Sequence, residues 1–467
     1  MSFLQLALAV SQSQGKNGAP VEARKWSSTM VFLLAAIGSA VGLGNMWKFP
    51  YVAGVSGGGA FVFIYIIALA VIIMPILVAE LALGRMGRSS SMLSITNVAI
   101  EEGHSHSWGY VGLLCAIASF LIMTFYTVVA GWSLAYLLRM IRGDLTNATA
   151  ETSVQVFNQL MASPGELALW HGVFTLATLA IALRGLHKGI ERSFKFLMPV
   201  LFFLLLALVI YGLSLSSAGE SLRFLFSPDF SKVDSSIVLA AIGQAFFSIG
   251  VATGIMITFG AYLPVNTSIP RAALLIVFVD TLVALIAGMA IFPIVFQYNL
   301  DPAEGAGLVF VTLPVAFAQM TGGVWIGIAF FLMFTIAALT SLIATMEAIL
   351  VLVEEGLGWK RVKTGWIASS VSWVIGLASV LSLNLWTDFK PIGGRTIFGV
   401  LDYLTANLML PIGGILVAIF AGWRISTARS KKELCLSGWL YYSWLICLRF
   451  LAPLAIFFII LTNVGWI

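Results

Sequence analysis

Eleven stretches of this 467-residue chain are each long and apolar enough to cross about 30 Å of hydrocarbon, which leaves few folds open. In lipid every backbone N–H and C=O must find a partner inside the protein, so only helices and closed barrels span. Runs of this length suit helices, because barrel strands are roughly ten residues long. The pattern predicts spans at 28–55, 59–85, 110–138, 166–184, 194–215, 236–262, 270–297, 325–353, 365–385, 396–423 and 448–467. Arg449 and Pro453 open the last of these, and the arginine is expected at the near interface. Composition agrees: 60% of residues are hydrophobic and 10% charged, against about 25% charged in soluble domains. No soluble domain of useful size is left between the spans. Residues 1–25 read as a cytosolic tail, since the run Phe3 to Val10 is too short to span and no small-residue cleavage site follows it.

Charge then sets orientation. With the N-terminus inside, 18 of the 25 Lys and Arg residues fall on the cytoplasmic side. The net charge of +5 is therefore topological and calls for no nucleic-acid partner. Cys115, Cys435 and Cys447 have neither metal nor redox spacing, and the four histidines lie near loops or span ends. A phosphate-binding loop is also missing, so the chain has no enzyme constellation and no means of using ATP. An ion gradient is the energy source that remains.

Two spans are interrupted in corresponding places. Gly38-Ser39-Ala40-Val41-Gly42-Leu43-Gly44-Asn45 breaks span 1, and Ser248-Ile249-Gly250-Val251-Ala252-Thr253-Gly254 breaks span 6. Five spans separate them, so the two halves lie in opposite orientation, the sequence sign of an inverted-repeat transporter with its site near the midplane. The expected division is a first repeat at 26–215, a second at 216–424, and a linker with the final helix at 425–467. Charges within spans are expensive, and only Lys48, Glu80, Asp280, Glu347 and Asp402 need explaining. Asp280 is either protonated, paired with a helix-end cation, or a ligand for a hard cation that also takes carbonyls from unwound backbone. Thr340, Ser341 and Thr345 either bond back to their own helix turn or join the same chemistry. Glu80 and Glu347 either hydrogen-bond unwound backbone beside the breaks or serve proton counter-transport.

The stretches GSAVGLGNMWKFPY, GGGAFVFIYIIA, AELALGR, GLHKGIERSFKFLMP, SPDF, AAIGQAFFSIG and AALTS resemble the neurotransmitter:sodium symporter family, nearest to its bacterial amino-acid transporters with eleven helices. The resemblance implies an all-α fold of five plus five helices in inverted repeats, with helices 1 and 6 broken. It implies two sodium ions and no organic cofactor. One ion would take the Ala40 carbonyl, Asn45, Ser248, Asp280 and the substrate carboxylate. The other would take the carbonyls of Gly38, Val41 and Ala337 with the hydroxyls of Thr340 and Ser341. Substrate would lie against Ser39, Ala40, Leu43, Gly44, Ile122, Tyr126, Phe247, Ser248, Gly250, Thr253, Ser341 and Thr345. Lys48 with Asp402 would form an outer gate, and Arg24 or Lys25 with Glu355 an inner one. Three departures stand out. Lysine replaces the usual arginine at 48, Ala23 occupies the usual place of the inner-gate arginine, and Ala284 occupies the chloride-linked position. The fixed charge of Asp280 would make chloride unnecessary.

Within that resemblance, Gly42 stands where amine-transporting members carry an aspartate, leaving room for a substrate carboxylate. The expected substrate is a neutral amino acid imported with sodium across the cell membrane, the alternative being an amine or a betaine-like osmolyte. Thr253 and Thr345 replace bulkier apolar residues of leucine-transporting members, so a more polar and roomier pocket is expected.

Overall fold

The computed structural model describes residues 24–300 and 307–464. The expected tail, apart from Arg24 and Lys25, and the last three residues of the expected final span lie outside the described residues. Among the described residues nine helices are long and apolar enough to span unaided: Gly59–Gly87 (span 2), His106–Arg142 (3), Pro164–Ala182 (4), Leu186–Leu213 (5), Ile269–Gln297 (7), Gly323–Leu357 (8), Arg361–Leu381 (9), Ile397–Arg424 (10) and Gly438–Thr462 (11). Span 1 is a pair, Thr29–Ala40 (1a) and Gly44–Val55 (1b), bent by 50°. Span 6 is likewise split into Ser235–Ile249 (6a) and Ile255–Ala261 (6b).

The breaks follow from their residues. Span 1a starts at Ser28, whose hydroxyl accepts from the Val31 N–H at 3.3 Å, and it stops where Val41 turns to extended backbone. Asp234 caps 6a through the Ile237 N–H at 2.9 Å, and the helix ends on Gly250 at φ 67°. Glycine enters that left-handed region without steric cost.

Close packing then fixes the broken helices in place. A Cβ on Gly84 of span 2 would collide with the Ile257 carbonyl of 6b, and one on Gly260 of 6b would stand 2.6 Å from the Leu81 carbonyl of span 2. The two helices therefore touch backbone to backbone, as small residues allow between membrane helices. Span 3, of 37 residues, and span 8, of 35, are the longest and pack against each other.

Several boundaries differ from expectation: span 5 starts at Leu186 instead of 194, span 3 is four residues longer at each end, and span 8 ends at Leu357 instead of 353. Span 9 starts at Arg361 instead of 365, because the Arg361 guanidinium turns into the protein onto Glu347 and Glu354 and does not stay in a loop. Span 11 starts at Gly438, ten residues before the expected 448, so Arg449 is not at its beginning. That arginine is accommodated inside the helix: its Nε donates to the Gly422 carbonyl at 2.6 Å, and its guanidinium stacks 4.9 Å from the Trp423 ring. Upstream, Trp444 Nε1 donates to the Pro75 carbonyl at 3.1 Å and pins the early turns to span 2.

Candidate functional site

The unwound stretch of span 6 is backbone that needs external support. Gly250, Ala252 and Gly254 all have positive φ, at 67°, 63° and 74°. For an alanine this costs on the order of 1–2 kcal/mol. The Ala252 N–H donates to Oε1 of Glu80 at 2.8 Å, so a fully buried carboxyl of span 2 holds the strained turn. Glu347 does not repeat that role. It accepts from the Tyr262 hydroxyl at 3.2 Å and pairs with Arg361, because a guanidinium at the start of span 9 reaches it.

One cluster of oxygens joins four elements. The Ser248 hydroxyl of 6a donates to Asp280 Oδ2 at 2.6 Å, and Asn45 Nδ2 of 1b donates to Asp280 Oδ1 at 2.9 Å and to Ser248 Oγ at 3.0 Å. The Tyr65 hydroxyl of span 2 donates to Ser248 Oγ at 3.0 Å. Asp280 is completely buried, and its carboxyl and the Ser248 hydroxyl offer hard oxygen donors of the kind a small cation takes. Tyr65 is absent from the sequence reading. Its signal was a phenol inside an apolar run, since a buried Tyr hydroxyl needs a polar partner.

The hydroxyls of span 8 bond back to their own turn: Thr340 donates to the Ala337 carbonyl at 3.0 Å and Ser341 to the same carbonyl at 3.3 Å. Each keeps lone pairs free for a cation. Span 1a packs along span 8, with Gly38 and Val41 buried. Gly42 closes the approach: a Cβ there would stand 2.5 Å from Ser341 Oγ and 2.8 Å from the Tyr126 hydroxyl.

Between these groups lies a cavity of about 80 Å³. It is lined by Ser39, Ala40, Gly42, Gly44, Ile122, Tyr126, Phe247, Ser248, Gly250, Thr253, Ser341 and Thr345, together with Ile255, Leu342 and Leu410. Leu43, expected here, lines a different cavity; its N–H donates to the Tyr126 hydroxyl at 3.0 Å, which turns the side chain away. Ile255, Leu342 and Leu410 carry no polar mark in the sequence, and only packing brings them in. The threonine hydroxyls donate locally, Thr253 to the Gly250 carbonyl at 2.6 Å and Thr345 to the Ser341 carbonyl at 2.9 Å. The expected polarity is thus largely taken up by backbone.

The Sodium:neurotransmitter symporter family matches residues 23–161 and 151–466 of this chain. The chain belongs to that family. A sodium-dependent transporter of Bacillus subtilis, YhdH, is 34% identical over 445 residues, which is 94% of this chain and 98% of the relative. A sodium-dependent transporter of Haemophilus influenzae is 32% identical over 447 residues, 94% of this chain and 97% of the relative. Among solved structures, that of MhsT in complex with L-phenylalanine superposes with a TM-score of 0.88 at 40% identity, over 94% of this chain and 99% of that one. The protein is accordingly a sodium-dependent membrane transporter of the bacterial branch and not an enzyme.

In this symporter the two ends of the site differ. Tyr126 and Phe247 stand between the inner cavity and an outer one of about 230 Å³, whose walls include Lys48 and Asp402. Among the described residues no ion pair joins Lys48 to Asp402. The Lys48 ammonium lies 4.0 Å over the Phe247 ring instead, an attraction that competes for the charge. At the other end Arg24 pairs with Glu354, and Trp26 is buried, its Nε1 donating to the Phe259 carbonyl at 3.1 Å. The expected partner, Glu355, accepts from the Ser90 N–H at 2.6 Å instead. Arg24 precedes Trp26 by two residues where the family's arginine precedes it by three. Neighbouring carboxyls on a helix point about 100° apart, so that one-residue shift changes the partner. Lys25 is exposed.

Proposed function

We propose that this symporter couples two sodium ions to the import of a neutral amino acid by alternating access, without chloride and with its N-terminus in the cytoplasm. The observation that carries the substrate class is Gly42. Its backbone lies hard against Ser341 and Tyr126, so no acidic side chain can stand there in place of a substrate carboxylate, and the substrate would bring its own to the Tyr126 hydroxyl and the Asn45–Ser248–Asp280 cluster. The broken ends of 1 and 6 add helix-terminal dipoles that suit a zwitterion. Asp280, Asn45, Ser248 and the Ala40 carbonyl would hold the first ion, with the substrate carboxylate completing its shell. Gly38, Val41, Ala337, Thr340 and Ser341 would hold the second. Asp280 supplies the negative charge that chloride would otherwise bring, and Ala284 offers no anion ligand. Phe247 and Tyr126 would serve as the outer lid, Lys48 and Asp402 as the outer gate, and Arg24 with Glu354 as the inner one. The solved MhsT complex with L-phenylalanine supports an amino acid over an amine.

Uptake into proteoliposomes tests this reading. Labelled neutral amino acids, phenylalanine among them, should accumulate above equilibrium only with an inward sodium gradient, and equally when gluconate replaces chloride. Asp280→Ala should abolish sodium-dependent binding in a scintillation-proximity assay. An unchanged sodium titration in that variant would overturn the ion assignment, and loss of uptake in gluconate would overturn chloride independence.

A further inference from the structure

At the end of the bundle where Arg24 docks on Glu354, spans 3, 8 and 9 leave a groove of about 280 Å³ between them. Its walls include Ile117 and Phe120 of span 3, Leu352 and Leu357 of span 8, and Ile367 and Val371 of span 9. Ile117, Ile367 and Val371 are 44%, 40% and 44% exposed, so the groove opens sideways on the bundle's flank. It shares no residue with the substrate cavity.

Any furrow on a membrane protein meets lipid, but two features make this one selective. Thr364, in the groove wall, is 1% exposed, yet its hydroxyl has no hydrogen-bond partner. A buried donor left unmade is costly in apolar surroundings and calls for a ligand acceptor. Beside it the Lys363 ammonium stands 4.3 Å from the ring of Trp359, itself a wall residue, which fixes a cation at the groove's mouth. Lys360 is exposed on the same turn of chain, and neither lysine pairs with a carboxylate among the described residues. Arg361 between them is committed, to Glu347, to Glu354 and to the Ala182 carbonyl at 2.9 Å. The groove wall contains no acidic residue.

Free cations, then an orphan hydroxyl, then an apolar furrow repeat the order of a phospholipid from headgroup through glycerol ester to acyl chain. The geometry points to a binding site for one anionic phospholipid, its phosphate on Lys360 and Lys363, an ester carbonyl accepting from Thr364, and one chain lying along spans 3, 8 and 9. The headgroup then sits next to Arg361, and so beside the ion pairs that hold Arg24.

Native mass spectrometry of the purified full-length protein tests the site, titrating phosphatidylglycerol or phosphatidylcholine of matched acyl chains. The wild type should retain one phosphatidylglycerol in preference to phosphatidylcholine. Lys360→Gln and Lys363→Gln should each weaken phosphatidylglycerol about fivefold and leave phosphatidylcholine unchanged. Thr364→Val should weaken both lipids, and Ala368→Phe, which fills the groove, should remove both. Ile117→Trp fills it from span 3 and takes its place if Ala368→Phe does not fold. Undiminished phosphatidylglycerol in both filled variants would overturn the site, since surface charge alone would then hold the lipid. Retention only by dimers would overturn it as well, placing the lipid between copies.

Discussion

Gly42 shows how much one absent side chain decides. Its would-be Cβ stands 2.5 Å from Ser341 Oγ and 2.8 Å from the Tyr126 hydroxyl, and these are the two groups that flank the proposed carboxylate. Overpacking of this kind costs about 1–3 kcal/mol of folded-state stability. Gly42→Ala should therefore lower the unfolding temperature in detergent and reduce sodium-driven uptake, because the methyl group displaces the two hydroxyls a substrate carboxylate would meet. Normal uptake would mean that Ser341 and Tyr126 yield to the methyl group. Asp280, Asn45 and Ser248 were legible in the sequence because polar atoms in a membrane span demand a reason. Their partner Tyr65 was not, because a phenol in an apolar run is ordinary until its hydroxyl is seen 3.0 Å from Ser248.

At the level of elements, the half-helix 6b is held by backbone contact. It is short, Ile255–Ala261, and it follows an unwound stretch, so its own hydrogen bonds cannot fix its direction. Gly84 and Gly260 let span 2 approach to within touching distance of its backbone, and Glu80 anchors the preceding turn. Gly84→Val should leave no correctly packed protein, read as loss of the monodisperse peak on size exclusion. Gly165, in the first turn of span 4 with open space where a Cβ would go, is the control. Gly165→Ala should keep the peak and raise the unfolding temperature slightly, since alanine is favoured over glycine in a helix by roughly 0.5–1 kcal/mol. A monodisperse Gly84→Val protein would show that span 2 and 6b can separate without loss of the fold.

Across the whole molecule the two ends of the pathway are unequal. Lys48 and Asp402 face an outer cavity without an ion pair between them, whereas Arg24, Glu354, Arg361 and Glu347 form a connected chain at the opposite end, its carboxylates buried and its arginines half-buried. Breaking a buried pair by removing one partner strands the other charge, which costs more than the pair itself contributes. The start of span 1 depends on this chain, since the Trp26 N–H donates to the Tyr262 carbonyl at 3.2 Å just beyond Arg24. Arg24→Ala should raise hydrogen exchange at the Trp26 amide by about tenfold or more. Lys25→Ala should leave that exchange unchanged, because Lys25 is exposed. Equal effects of the two would remove Arg24 from the inner closure.

Span number, the two breaks and the oxygen-bearing residues at them were determined by the sequence alone, because hydrocarbon penalises unpaired polar groups so strongly that each one marks its own purpose. Tertiary structure alone decided which carboxylate meets which cation. Arg24 took Glu354 and left Glu355 to Ser90, Arg361 was drawn into a helix expected to begin at 365, and Arg449 lies well inside its span instead of at its start. It also brought Ile255, Leu342 and Leu410 to the cavity. The reason is geometric: helical periodicity tells which residues are buried, but a partner on another span is chosen by rotation and reach, and one residue of shift changes it.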